Sequence, residues 1–371
     1  MNNFIFDNMI FSGIIAAILC VLLIMSKKHR RSSDHYLVLW LLLTAANLFY
    51  YLSSDIIPQK LQSFFFTLPT LSICILYLYT LGLTFGLEFN IKHIIKHAVF
   101  YLLYNVCFLV TSLFFHEILF KNHLPYSAIQ NEFILNVLTI PMAIIPVVYI
   151  ILCFFTLKKY QKMLPNFYSA IEKINFNWLK YILLSLIILF ITIITILSLS
   201  TRWNYLPINS ISKIIGTIQT LYLLCMVFFS LRQSIIYVQD SGIIKSSKVK
   251  EEIIQIDERS KILSEKLLEY MLLEKPYLDE ELSLVKLSSL LNVSTNQLSR
   301  VINQNLNTNF YQFVNSYRVE EVKQKLKNTA FNHYSILGIA FESGFNSKST
   351  FNKIFKEETG MTPSQFKNFN S

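Results

Sequence analysis

The side chains best placed for chemistry lie near the end of the 371-residue chain, and their chemistry is recognition. Thr295, Asn296, Gln297, Arg300 and Asn303 follow one another at helical spacing. Amide and guanidinium groups make paired hydrogen bonds to the edges of adenine and guanine. A second set, Lys348, Ser349, Asn352 and Lys353, offers two cations and two short polar groups. Such groups suit phosphate oxygens better than base edges. No residues form a catalytic set, a metal site or a cofactor motif, so the expectation is a protein that is not an enzyme and carries no cofactor.

Each set needs a short helix held by a second one. Leu284, Leu287 and Leu291 mark the buried side of a first helix. Asn292-Val293-Ser294 then reads as a turn with Ser294 as the next N-cap. The following helix buries Leu298, Val301 and Ile302, leaving the first polar set outside. The pattern repeats with Ile336, Ile339 and Ala340, a turn at Ser343-Gly344-Phe345-Asn346, and a helix from about Ser347 that buries Phe351, Ile354 and Phe355. Gly344 gives that turn a left-handed position without steric cost, and Asn346 reads as a turn or capping residue. Leu298 and Phe351 are matching positions, 53 residues apart. Two helix-turn-helix units are therefore expected, each with a second helix suited to a major groove. Phe310–Leu326 reads as the helix between them, with Phe313, Tyr317, Val322 and Leu326 inward. Its 17 residues span roughly 26 Å, which places the two recognition helices about one DNA turn (~34 Å) apart.

The run from Ser335 through Gly338, Ala340, Gly344, Phe345, Ser347 and Phe351 to Lys356 resembles the signature of the AraC/XylS family of bacterial transcription regulators. It continues into Thr359-Gly360-Met361-Thr362-Pro363-Ser364-Gln365-Phe366, which is similar to the closing motif of that family. Leu282-Ser283-Leu284 through Leu298-Ser299-Arg300 fits the family's first unit, and Tyr317–Val322 fits its linking helix. The resemblance runs from about Pro276 to Phe369 and implies sequence-specific binding of double-stranded DNA. Ser288 departs from the usual alanine, so its hydroxyl needs a backbone partner. Residues 282–371 carry 10 Lys/Arg against 5 Asp/Glu, the sign that phosphate binding requires.

The rest of the chain is a different material. Residues 1–231 hold 15 Lys/Arg and 7 Asp/Glu, while residues 232–371 hold 18 and 16. Overall, 53% of residues are hydrophobic and 15% charged, with mean hydropathy +0.44. This excludes a single soluble globule, a disordered chain and a disulfide-stapled secreted domain. Seven charge-free runs follow one another: Asn8–Ser26, His35–Ser54, Leu61–Leu87, His97–His116, Phe133–Leu157, Tyr181–Thr201 and Ile214–Leu231. A helix crossing a bilayer needs about 20 mostly apolar residues, so seven spans are expected. The connections after the first, third and fifth runs hold 11 Lys/Arg; the alternate ones hold 4. The richer side marks the cytoplasm. The N-terminus is then outside, and the chain leaves the seventh span into the cytoplasm at Arg232.

Within the runs, Pro69, Pro141 and Pro146 predict kinks whose freed carbonyls find neighbouring partners. Cys20, Cys74, Cys107, Cys153 and Cys225 all lie in apolar stretches and read as small apolar residues. His93 with His97, and His116 with Glu117 and His123, could bind a metal, but neither is a complete ligand set, and polar helix ends are the simpler reading. No lysine stands mid-span in the seventh run, which excludes a retinal protein. Beyond cysteines and tyrosines, ionisable residues are also absent from the span interiors, which argues against the alternative of a transporter or membrane enzyme with a regulatory DNA-binding tail.

Glu251–Glu281 holds 10 acidic and 4 basic residues, with Ile253, Ile256, Leu263, Leu267 and Met271 near helical spacing. It reads as an amphipathic helix that forms a dimer seam or packs on the following domain. The expected fold class is all-α: a seven-helix transmembrane bundle (1–231), a cytoplasmic helical connector (232–275) and a DNA-binding domain (276–371). The chain would lie in the bacterial cytoplasmic membrane, its C-terminal domain in the cytoplasm. Its partners would be double-stranded DNA, the lipid bilayer, a small-molecule or envelope signal and, for a dimer, a second copy.

Overall fold

The structure is a computed structural model that describes residues 2–53, 56–114, 118–121, 124–127, 132–172, 174–203, 208–233 and 258–369. Among the described residues, seven long helices lie in the first 233: α1 (Asn2–Met25), α2 (Ser32–Ser53), α3 (Gln59–Phe85), α4 (Ile91–Phe114), α5 (Glu132–Met163), α6 (Asn177–Trp203) and α7 (Ile208–Gln233). Each is built around one of the expected apolar runs. Among the described residues, five stretches are long and apolar enough to cross a membrane: Phe4–Met25, Ser32–Ser53, Leu61–Phe85, Ile144–Asn166 and Ser212–Ser230. A short hairpin, which the sequence did not announce, follows α4. Strand β1 (Ile118–Lys121) pairs antiparallel with β2 (Leu124–Ser127), Ile118 opposite Ser127 and Lys121 opposite Leu124.

The chain divides into two units. The first comprises Met1–Lys158 and Asn177–Ser247. In it α1 packs on α2 and α7, and α2 packs on α3. At the α1–α7 crossing a β-carbon on Gly13 would lie 2.5 Å from Thr220 Oγ1, so only glycine allows that approach. Polar side chains join neighbouring helices: Tyr79 OH lies 2.8 Å from Ser230 Oγ, and Asn105 Nδ2 donates to Thr67 Oγ1 at 2.9 Å. Asp7 and Lys213 form an ion pair near the N-terminal ends of α1 and α7. All five cysteines are free thiols. His97 Nδ1 lies 2.9 Å from Tyr149 OH, and no group of three or more metal-ligating side chains occurs among the described residues. His116, Glu117 and His123 lie outside those residues.

The second unit comprises Lys159–Phe176 and Lys248–Ser371. Its helices are α8 (Glu258–Leu273), α9 (Leu284–Leu290), α10 (Thr295–Arg300), α11 (Phe310–Lys327), α12 (Ile336–Glu342), α13 (Lys348–Thr359) and α14 (Pro363–Phe369). Helix α8 is the described part of the expected connector. It packs on the first helices of the C-terminal domain: Leu267 and Met271 are buried in a core with Leu284, Leu287, Leu298 and Val301. A second core gathers Val322, Ile339, Ala340, Phe351 and Phe355. Helix α11 contributes to both, so it is the beam that fixes the two helix pairs to each other.

Candidate nucleic-acid interface

The first pair is α9 and α10. Ser283 caps α9 by accepting from Lys286 N, and Ser294 caps α10 by accepting from Gln297 N. Gln297 completes a capping box, its Oε1 accepting from Ser294 N at 3.0 Å and from Ser294 Oγ at 2.9 Å. Between the helices Asn292 takes a left-handed φ of 57°, a conformation its short polar side chain tolerates. Leu298, Val301 and Ile302 are buried as the spacing requires. After Arg300 the helix loosens into a π turn, Val301–Asn305.

The second pair is α12 and α13. Ser335 and Ser347 cap them, accepting from Gly338 N and Thr350 N. Gly344 between them has φ 91°, and a β-carbon there would come within 2.2 Å of the Tyr277 carbonyl oxygen. Phe351, Ile354 and Phe355 are buried, and Gly360 ends α13 in a left-handed cap.

Residues 287–368 match the family described as "Helix-turn-helix domain". That range begins within α9 and takes in α10, the beam and the second helix pair. Residues 287–368 are a helix-turn-helix domain. Relatives named as HTH-type transcriptional regulators of Staphylococcus aureus, from strains COL and MSSA476, are each 35% identical over 88 residues, 24% of this chain. The match takes in 11% of those proteins' own length. A solved chain of unknown function from Listeria innocua aligns with 29% of this chain and 96% of its own, at 23% identity and TM-score 0.26.

Within the helix-turn-helix domain the singled-out side chains divide in two. Asn296, Arg300, Lys348 and Asn352 are exposed and make no side-chain hydrogen bond or ion pair among the described residues. Lys353 is exposed and 3.9 Å from Glu357, a contact worth little in water. The others are engaged: Gln297 in its cap, Asn303 with Ser299 Oγ at 3.2 Å, and Ser349 with Ser347 Oγ at 2.8 Å. Thr295 is half-buried, its Oγ1 3.3 Å from Ser288 Oγ. Ser288 also finds its backbone partner, donating to Val285 O at 2.9 Å. The serine at this unusual position is thus satisfied.

Sequence reasoning missed the polar centre of α11. Arg318, 1% exposed, lies between the two cores. Its Nε donates to Tyr277 O at 2.8 Å and its Nη2 to Asp279 O at 2.8 Å. Burial lowers its pKa to about 10, against the opposing pull of Asp279 and Glu172. One turn along, Glu321 accepts from Lys275 Nζ and Tyr277 OH, both at 3.0 Å. Burial alone would raise its carboxyl; the hydrogen bonds of Lys275 and Tyr277 and the charges of Lys275 and Lys325 hold it below the ordinary value. Burial and the Glu321 charge push the Tyr277 phenol up. The signal was in Tyr317-Arg318-Val319: a charged residue at an inward helical position, which needs many partners to be buried.

Proposed function

We infer that this protein is a membrane-embedded transcription regulator that senses and responds within one chain. The observation that carries the reading is the pair of exposed polar helix faces, on α10 and α13, held by one beam in a helix-turn-helix domain whose chain also has, among the described residues, five membrane-length apolar helices. Each helix pair acts as a helix-turn-helix unit, and the two recognition helices enter successive major grooves on one face of the duplex. Asn296 and Arg300 read base edges, while Lys348 and Lys353 anchor phosphates. Thr295, Gln297, Asn303 and Ser349 support those helices, with backbone or water-mediated contacts to DNA left to them.

The membrane part has seven spans in the bacterial cytoplasmic membrane, with the N-terminus outside and the helix-turn-helix domain in the cytoplasm. The Asp7–Lys213 pair supports the seven-span count, since odd-numbered crossings start on the same side. The basic cluster at Lys27–Arg31 lies at the opposite end of α1, where Asp34 takes up Lys27 at 3.4 Å. A small-molecule or envelope signal biases this bundle, and the domain, alone or as a dimer, converts the bias into promoter occupancy. The test is promoter output from the full chain in cells, with and without envelope stress, against a chain carrying Arg300→Ala. Output that responds to the stress and is lost in the variant supports the reading. Output equal in both chains overturns it.

A further inference from the structure

We propose that residues Phe167–Ser169, in the connection between α5 and α6, are the grip through which the membrane helices control the DNA-binding domain. The proposal deepens the regulator reading and rests on it. This segment adds a short extended strand to the second unit, held by a single antiparallel bridge. Leu284 N–H donates to Phe167 O at 2.9 Å, Ser169 N–H donates to Leu282 O at 3.4 Å, and Tyr168 stands antiparallel to Ser283. Ser283 is the cap of α9, so the added strand is fastened to the residue that starts the first helix pair.

Ser169 then reaches the centre of the domain. Its carbonyl oxygen accepts from Asn315 Nδ2 at 3.1 Å and from Arg318 Nη1 at 3.3 Å. Its hydroxyl donates to Leu282 O at 2.6 Å and accepts from Arg318 Nη2 at 3.1 Å. The same guanidinium abuts the turn of the second pair, where a β-carbon on Gly344 would lie 2.9 Å from Arg318 Nε. One serine from the connection therefore plugs the point where α9, the beam α11 and the second turn meet. Ser169 and Arg318 are each 1% exposed. Withdrawing the serine leaves buried guanidinium and amide N–H groups without acceptors, which a folded core resists. Displacing the strand must therefore rearrange the joint between the two helix pairs.

The connection is built to transmit such a displacement. Its ends continue into α5 and α6, and it is closed at the base by Gln161 Nε2 donating to Asn175 O at 2.6 Å. Phe167 packs against the first core. The docked strand covers none of Asn296, Arg300, Lys348 and Asn352, all of which stay exposed. The docked form is accordingly the DNA-competent one, and withdrawal of the strand is the off state. The connector after Arg232 is the other covalent link from the membrane helices to the domain; the grip adds a route with fixed hydrogen-bond geometry.

The pattern of the two ladder bonds makes Tyr168 and Ser283 a non-hydrogen-bonded pair, with α-carbons about 4.5 Å apart, within reach of a disulfide. The experiment uses the full chain in lipid nanodiscs, with its five cysteines replaced by alanine. The probe is a duplex selected from a randomised library by the wild-type chain. Tyr168→Cys with Ser283→Cys should cross-link within one chain on mild oxidation and keep its affinity for the duplex. Ser169→Lys, whose ammonium cannot be buried against Arg318, should weaken that affinity about tenfold or more and should lower the yield of the cross-link. Failure to cross-link, a tenfold loss on oxidation, wild-type affinity in Ser169→Lys, or an undiminished cross-link yield in that variant would each overturn the grip while leaving the regulator reading standing. A wild-type chain that selects no duplex would overturn both.

Discussion

Gly344 and Tyr277 approach so closely that a β-carbon on the glycine would lie 2.2 Å from the tyrosine's carbonyl oxygen, with Gly344 at φ 91°. Two constraints coincide at that position, conformation and space. Gly344→Ala should cost about 3 kcal/mol or more, from left-handed strain and overpacking together. Gly360 has φ 74° but nothing within 4 Å of its missing β-carbon, so Gly360→Ala should cost only about 1–2 kcal/mol. Hydrogen exchange of the α12 and α13 amides in the full chain would rank the two. Equal losses would show that the contact with Tyr277 carries no energy.

The two recognition helices should divide their labour. Arg300→Ala should cost about 1–3 kcal/mol and relax preference at one or two base pairs. Lys353→Ala should weaken matched and scrambled duplexes by similar factors and lower the salt slope by about one unit. Titrations of the full chain at several salt concentrations separate these effects. Lost discrimination in Lys353→Ala, with discrimination intact in Arg300→Ala, would reverse the assignment.

Much of this was legible in the sequence because each short helix carries its own pattern. Leu284, Leu287 and Leu291 repeat at helical spacing, Ser294 and Ser347 stand where caps belong, and Gly344 stands where the turn needs a left-handed residue. The features that were not legible depend on partners distant in the chain or on contacts that spacing does not reveal. By spacing alone Gln297 reads as a free base-contacting amide, yet its carbonyl accepts from Ser294. Ser169 has no periodic neighbours at all, and its partners Leu282, Asn315 and Arg318 lie 113, 146 and 149 residues away. The hairpin after α4 is similar: four-residue strands are too short for alternation to announce them.

Acid should loosen the domain through Glu321. Its carboxyl titrates below the ordinary value near 4.5, so the stability it contributes is complete above that value and is lost as pH falls through the lower folded value. Glu321→Gln should flatten the acid limb of unfolding for the α11 amides and lower their protection at neutral pH. An unchanged acid limb would show that Glu321 carries none of the effect.

The capping box should have a smaller effect. Ser294→Ala should cost about 1 kcal/mol by freeing the Gln297 N–H and the first turn of α10. Exchange of the α10 amides should rise while that of α13 stays as it was. A rise confined to α13 would be inconsistent with the cap.

Topology is testable with reporters. A reporter fused after Gln233 should be cytoplasmic, and one inserted near Asn122 should face outside. Both on one side would dismantle the seven-span arrangement.

The most direct test of the central claim is duplex binding by the full chain in nanodiscs as a function of salt. The selected duplex should bind more tightly than its scrambled counterpart, and log affinity should fall linearly with log salt as Lys348, Lys353 and their neighbours release counterions from the phosphates. A chain that binds neither duplex at low salt would contradict it.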